Sequence, residues 1–294
     1  MHELREKLQG LEAGMEERRR LMATLQSRPK FALIVAVSEY PNERALPNAT
    51  IDAERLKATL VKLGWTAQHG LDRPVEIVVE PNLEEVRRAI ANFATTVRRA
   101  GGDCLVAFVG HGIQLNGRNY LFAADSKFES LKYPNDDKYE EAAKRVCLPF
   151  REVQKTFEHV GEGAKVFVLD CCRDGLSPGV DSGVSLQFDN SMVIYSTTSG
   201  KVADDGVPGK GGPFMGILCE EIEKSSAEGD GVHEVMERTR RRTPRCCQLA
   251  NDSSTLLNGF VFFIQREQQV SLTPLSHISP PIQQAVVFAV EKRE

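Results

Sequence analysis

From residue 31 onward the chain alternates short apolar runs with longer stretches in which apolar residues recur every three or four positions. The short runs read as strands buried on both faces, and the longer stretches as helices with one buried stripe. Strands are predicted at 31–37, 75–79, 104–109, 166–169, 192–195 and 259–264. Helices are predicted at 52–63, 83–99, 149–159, 214–223 and 232–241; in the second, Val86, Ile90, Phe93 and Val97 share a face. Asn116-Gly117, between the apolar-containing runs 113–115 and 119–122, is a hairpin signal. The charged stretch 126–145 reads as an exposed loop with a helical turn, and the Gly/Ser/Pro/Asp-containing stretch 176–190 as a loop. This alternation implies an α/β protein, a three-layer α/β/α sandwich around a mostly parallel six-stranded sheet.

Two flanking segments differ from this pattern. In residues 1–28, Leu4, Leu8, Leu11, Met15, Met22 and Leu25 follow alternating four- and three-residue steps, a heptad seam interrupted by Arg18. Gly10 and Gly14 weaken a free-standing helix there, so this N-terminal helix is expected to pack on the domain or on a partner chain. Residues 29–266 form the core domain, and 267–294 a Gln/Pro/Ser-rich C-terminal tail with one apolar patch at 285–290.

Composition removes several function classes. A net charge of −4 argues against nucleic acid as the main partner, and the basic runs at 18–20 and 238–245 read as solvated faces. No apolar run approaches the roughly 20 residues needed to span a bilayer, and the charged start Met1-His-Glu-Leu-Arg-Glu-Lys lacks a signal-peptide core. Seven cysteines, an odd count, do not suggest a disulfide scaffold. Cys171-Cys172 and Cys246-Cys247 lack the spacing of a zinc site. A reducing, cytoplasmic compartment is expected, with no membrane partner.

Candidate chemistry gathers at two strand ends. The run 166–169 stops abruptly at Asp170-Cys171-Cys172-Arg173-Asp174-Gly175, and 104–109 ends in Gly110-His111-Gly112. Residues just beyond the carboxyl ends of parallel strands are placed to meet ligands. A thiol needs an imidazole to give it thiolate character and to protonate a leaving amine. Glycines on both sides of His111 keep its loop open, and the N–H groups of Gly112 and Cys172 would serve as an oxyanion hole. The plainer reading is a pair of packed thiols and a strand-capping histidine.

Residues 108–112 (Phe-Val-Gly-His-Gly), 168–175 (Val-Leu-Asp-Cys-Cys-Arg-Asp-Gly) and 195–200 (Tyr-Ser-Thr-Thr-Ser-Gly) resemble the His, Cys and following strand motifs of the caspase superfamily of cysteine proteases. The resemblance runs from about 31 to 264, with 29–175 like the large subunit, 176–190 the intervening loop and 191–266 like the small subunit. In that family the nucleophile directly precedes the Arg or His of its signature, which implies Cys172 as nucleophile, His111 as general acid/base and Cys171 as a packed neighbour.

The resemblance also bears on specificity. Caspases proper hold an Asp side chain with two arginines and a glutamine; at those positions this chain has Leu46, Asp205 and Asp170. Metacaspases and paracaspases instead carry acidic residues at the positions of Asp52 and Asp170 and cut after Arg or Lys, and paired carboxylates suit a guanidinium. The resemblance therefore implies an endopeptidase acting on protein or peptide substrates with Arg or Lys before the cleaved bond, with Asp52, Asp170, Ser196 and Asp205 as substrate-binding residues. Read from the residue alone, the alternative for Asp52 is a helix N-cap. No cofactor is required for this chemistry. Calcium, which metacaspases often need, enters only through the resemblance: the long Asp-rich insertion is missing, and the pairs Asp136-Asp137 and Asp204-Asp205 do not establish the six or more oxygens of a calcium site. Residues 176–190 contain no Lys or Arg, so a basic-specific enzyme could not cut itself there. A homodimer through the strand at 259–264 is one expectation, a monomer the other. The competing classes are a catalytically silent scaffold acting through its N-terminal helix and a small-molecule thiol hydrolase.

Overall fold

In a computed structural model the chain forms two compact units, 1–264 and 265–294. The structure describes residues 14–17, 20, 27–41, 43–66, 74–115, 117–127, 139–173, 190–197, 201–228, 231–243 and 248–250, all in the first unit. Of the expected N-terminal helix at 1–28, residues 14–17, 20 and 27 are helical and 28 is a bend; the rest of that segment, the loop 176–190 except Asn190, the pair Asp136-Asp137, the strand at 259–264 and the tail lie outside the described residues.

The central sheet contains β1 (Lys30–Ala36), β2 (Val75–Val79), β3 (Asp103–Val109), β7 (Lys165–Asp170), β8 (Ser191–Tyr195) and β9 (Gln248–Ala250) in the order β2-β1-β3-β7-β8-β9. The first five run parallel, and β9 pairs antiparallel with β8. The described sixth strand is thus Gln248–Ala250, a three-residue stretch too short to stand out in the sequence.

Side-chain alternation sorts each central strand between two cores. Phe31, Leu33 and Val35 of β1, with Val106, Phe108, Phe167 and Leu169, meet helices α2 (Leu83–Ala100) and α4 (Phe150–Phe157). Ala32, Ile34 and Ala36, with Leu105, Ala107, Val166 and Val168, meet α1 (Ala49–Lys62), α5 (Pro213–Glu228) and α6 (Val232–Arg242). Burial on both faces is why these strands read as continuous apolar runs and not as alternation. The three-layer expectation holds.

Three local expectations change. α1 begins at Ala49, three residues before Asp52, so Asp52 sits inside the first turn and does not cap the helix. The segment expected to be mostly loop holds an eight-residue helix, α3 (Tyr139–Val146). The hairpin is present as β4 (Gly112–Leu115) and β5 (Arg118–Leu121), and β6 (Leu148–Pro149) pairs with β5 to complete a small second sheet. Among the described residues no helix is long and apolar enough to cross a membrane.

Candidate active site

The register of β3 and β7 sets the site. Val109 pairs with Asp170, and the N–H of Gly110 donates to the Asp170 carbonyl at 3.1 Å. His111 and Cys172 therefore each lie two residues beyond the last paired position of adjacent strands, some 4.8 Å apart as parallel neighbours are. The two residues, 61 positions apart in sequence, are brought together by that single pairing.

Beyond this point the chain at His111 is held by groups from the segment after β1. The His111 N–H donates to the Tyr40 hydroxyl at 2.7 Å, and that hydroxyl donates to the Val37 carbonyl at 3.2 Å. The Tyr40 and His111 rings stack obliquely with centroids 4.6 Å apart. His111 Nε2 lies 2.7 Å from the Arg44 carbonyl oxygen. A carbonyl only accepts, so Nε2 carries the proton of the neutral ring and Nδ1 is left as the acceptor. Tyr40 and the Arg44 main chain thus fix the plane and tautomer of the imidazole. Neither was marked by the sequence, because a tyrosine followed by a main-chain carbonyl carries no motif.

Gly112 sits where no side chain fits. A Cβ there would fall 2.8 Å from Cys171 Sγ and 3.0 Å from the Cys172 carbonyl oxygen. The Phe122 N–H donates to the His111 carbonyl, which makes Gly112 and Leu121 a non-hydrogen-bonded pair of the hairpin. The Gly112 N–H consequently points away from β5. Cys171 is buried at 3% exposure and its thiol is pushed well above the ordinary range by that burial, whereas Cys172 is half-buried.

Arg173, 3% exposed, anchors the segment after Cys172. Its guanidinium carbon lies 4.0 Å from the centre of the Tyr195 ring, its Nε donates to Asn119 Oδ1 at 3.2 Å, and its main-chain N–H donates to the Lys201 carbonyl at 2.9 Å. Asn119 Nδ2 in turn donates to the Tyr195 hydroxyl at 3.2 Å. β5, β8 and the end of β7 are joined through this one side chain.

Cys172 opens onto a cleft of about 350 Å³, counting its open mouth, lined by Leu46, Ala49, Val109, Gly110 and Ala203 and by the carboxylates Asp52, Asp170, Asp204 and Asp205. Asp52, Asp170 and Asp205 come from α1, β7 and the loop before α5, so three distant parts of the chain contribute acidic groups to one small space.

These carboxyls resist ionisation. Burial, reinforced by Asp52 and Asp205, pushes Asp170 from 3.8 up to about 7; Ser196 pulls the other way, although its hydroxyl falls short of a well-formed hydrogen bond. Burial also pushes Asp52 from 3.8 up to about 6, against the Gly212 N–H and the Arg55 guanidinium, with Asp205 adding to the rise. Asp52 accepts the Gly212 N–H on both oxygens, at 3.0 and 2.8 Å, and lies 3.8 Å from Arg55 Nη1. Burial raises Asp205 as well, opposed by Arg44 and His111, and its Oδ2 is buried with no hydrogen-bond partner. Ser196 is 1% exposed beside Asp170 and is not among the cleft-lining residues. Among the described residues no group of three or more His, Cys, Asp or Glu is arranged to hold a metal ion.

The family model of the caspase domain matches residues 29–269, most of the chain. A search of curated proteins gave no match.

Proposed function

The chain belongs to the caspase-domain family of peptidases, and on that premise we propose that it is a cysteine endopeptidase of metacaspase or paracaspase type that cleaves after arginine or lysine. The observation that carries the specificity is the cleft beside Cys172, where Asp52, Asp170, Asp204 and Asp205 converge. Asp52, Asp170 and Asp205, raised chiefly by burial, lose that penalty when a cation is set among them. A guanidinium, planar and permanently charged, satisfies several carboxylate oxygens at once. An acidic substrate side chain would meet like charge.

In the proposed reaction Cys172 Sγ attacks the carbonyl carbon of the bond after the basic residue, and the thiol proton passes to His111 Nδ1. The N–H groups of Gly112 and Cys172 donate to the developing oxyanion. His111 then protonates the leaving amine as the C–N bond breaks, giving a thioester. Water, deprotonated by His111, attacks the thioester carbon and releases the acid product with the thiol restored. The hydrogen bond from Nε2–H to the Arg44 carbonyl supports the imidazolium through both halves of the cycle. No step requires a metal, and calcium remains a variable to be tested.

The test compares fluorogenic peptides ending in Arg, Lys and Asp, with and without calcium, for the wild type and Cys172→Ala. Turnover of the Arg and Lys peptides that Cys172→Ala abolishes is expected. Preference for the Asp peptide would overturn the basic specificity, and absence of turnover in every condition would favour the scaffold reading.

A further inference from the structure

Asn48, Asp52 and Arg55 stand at i, i+4 and i+7, one face of the first turns of α1. All three reach the same loop before α5, from 155 to 163 residues away. Arg55 Nη2 donates to the Lys210 carbonyl at 2.8 Å, and Asp52 accepts the Gly212 N–H. Asn48 does most. Its amide nitrogen donates to the carbonyls of Asp205 (2.5 Å) and Val207 (3.0 Å), and its Oδ1 accepts the N–H groups of Gly209 (2.9 Å) and Gly211 (3.2 Å). Two donors and two acceptor sites are the full capacity of a carboxamide. The side chain is 0% exposed, so all four bonds are made away from water.

This use of Asn48 has a cost elsewhere. Asn48 is the N-cap residue of α1, where asparagine ordinarily accepts an N–H from the first turn, yet its side chain makes no cap hydrogen bond. The loop bends around the amide through Gly209 and Gly211, both at positive φ (80° and 83°), and closes on itself with Val207 bridging Gly211. The bond to the Asp205 carbonyl acts on the same residue whose carboxyl lines the cleft.

We propose that Asn48 is a positioning residue for substrate specificity: by gripping 205–211 it sets where the Asp205 wall of the cleft stands relative to Asp170. This rests on the reading of that cleft as the pocket for the residue before the cleaved bond. Asn48→Asp keeps size but sets a carboxylate oxygen, an acceptor, against the Asp205 and Val207 carbonyls; Asn48→Ala removes the grip.

The experiment measures steady-state kinetics on an arginyl peptide, the rate of Cys172 alkylation by iodoacetamide, and hydrogen exchange, for both variants and the wild type. The expected result is a KM about tenfold higher, kcat within about threefold, alkylation of Cys172 unchanged, and faster exchange confined to 205–212. A purely structural role would lower kcat and alkylation together at constant KM, with exchange rising across β3 and β7, and would overturn the proposal. If the wild type prefers another residue in a peptide library, the basic reading of the cleft fails and the KM comparison is made on that residue. If the wild type turns over nothing, the exchange pattern decides: a local rise at 205–212 supports the grip, and no rise or a global one refutes it.

Discussion

Replacing Asp170 by asparagine is expected to make the protein more stable at alkaline pH and less able to cut after arginine. The carboxyl is held at about 7 in the folded chain against an ordinary 3.8. Each pH unit of such a difference is 1.36 kcal/mol, so the ceiling on the cost of ionising Asp170 in the fold is about 4 kcal/mol, shared with Asp52 and Asp205. The sign follows from proton uptake: between 3.8 and about 7 the folded state binds more protons than the unfolded one, so stability present at low pH is lost as pH rises through about 7. Asparagine keeps the shape and cannot ionise. Thermal unfolding followed at pH 5 and pH 8 should therefore show a small gain for Asp170→Asn at pH 5, where roughly a third of that window has been crossed, and a larger gain of several degrees at pH 8, since about 1 kcal/mol moves the midpoint of a domain this size by roughly 2–4 °C. Under the proposed specificity the same variant loses charge-assisted hydrogen bonds to the guanidinium, worth about 1.5–3 kcal/mol, so kcat/KM on an arginyl peptide should fall roughly 10- to 150-fold. A variant that is less stable at both pH values while cleaving arginyl peptides normally would refute both the electrostatics and the role of Asp170.

Three other outcomes follow from the geometry. The kcat/KM for arginyl peptides should climb with pH between about 6 and 7 as Asp52 and Asp170 ionise, and this limb should shift to lower pH in Asp170→Asn; a flat profile across that window would contradict the raised carboxyls. Tyr40→Phe leaves the His111 N–H and the Val37 carbonyl without the hydroxyl between them, a loss of about 1–3 kcal/mol, and kcat should fall about tenfold with KM unchanged. Gly112→Ala sets a methyl 2.8 Å from Cys171 Sγ, so kcat should drop by two orders of magnitude or more while circular dichroism stays native; near-normal turnover would show that Gly112 is not held against the Cys171-Cys172 loop.

The sheet was legible because its central strands are buried on both faces: runs such as 104–109 and 166–169 have no polar interruption, and the polar residues that follow mark the strand ends where chemistry collects. His111 and Cys172 could be singled out for the same reason. What the sequence did not disclose are groups that act through main-chain atoms or over long separations. The Arg44 carbonyl has no side-chain signature, Tyr40 reads as an ordinary core aromatic, and Asn48 meets its partners some 160 residues away through backbone groups of glycines. The sequence points to a start of α1 at Asp52 because Asp is a favoured cap, whereas the N-cap position is Asn48, whose amide serves the loop and makes no cap hydrogen bond. Ser196, grouped with the substrate contacts by its place in a motif, lies buried beside Asp170 because it follows directly on the buried end of β8.

The central claim, that Cys172 is a nucleophile beside a pocket for basic side chains, is tested most directly by affinity labelling. Wild-type protein treated with an arginyl chloromethyl ketone should gain a single adduct, mapped by mass spectrometry to Cys172, faster than with the matching aspartyl reagent. Cys172→Ala should gain none. An adduct on Cys171 or another thiol, or equal labelling by the arginyl and aspartyl reagents, would contradict the account.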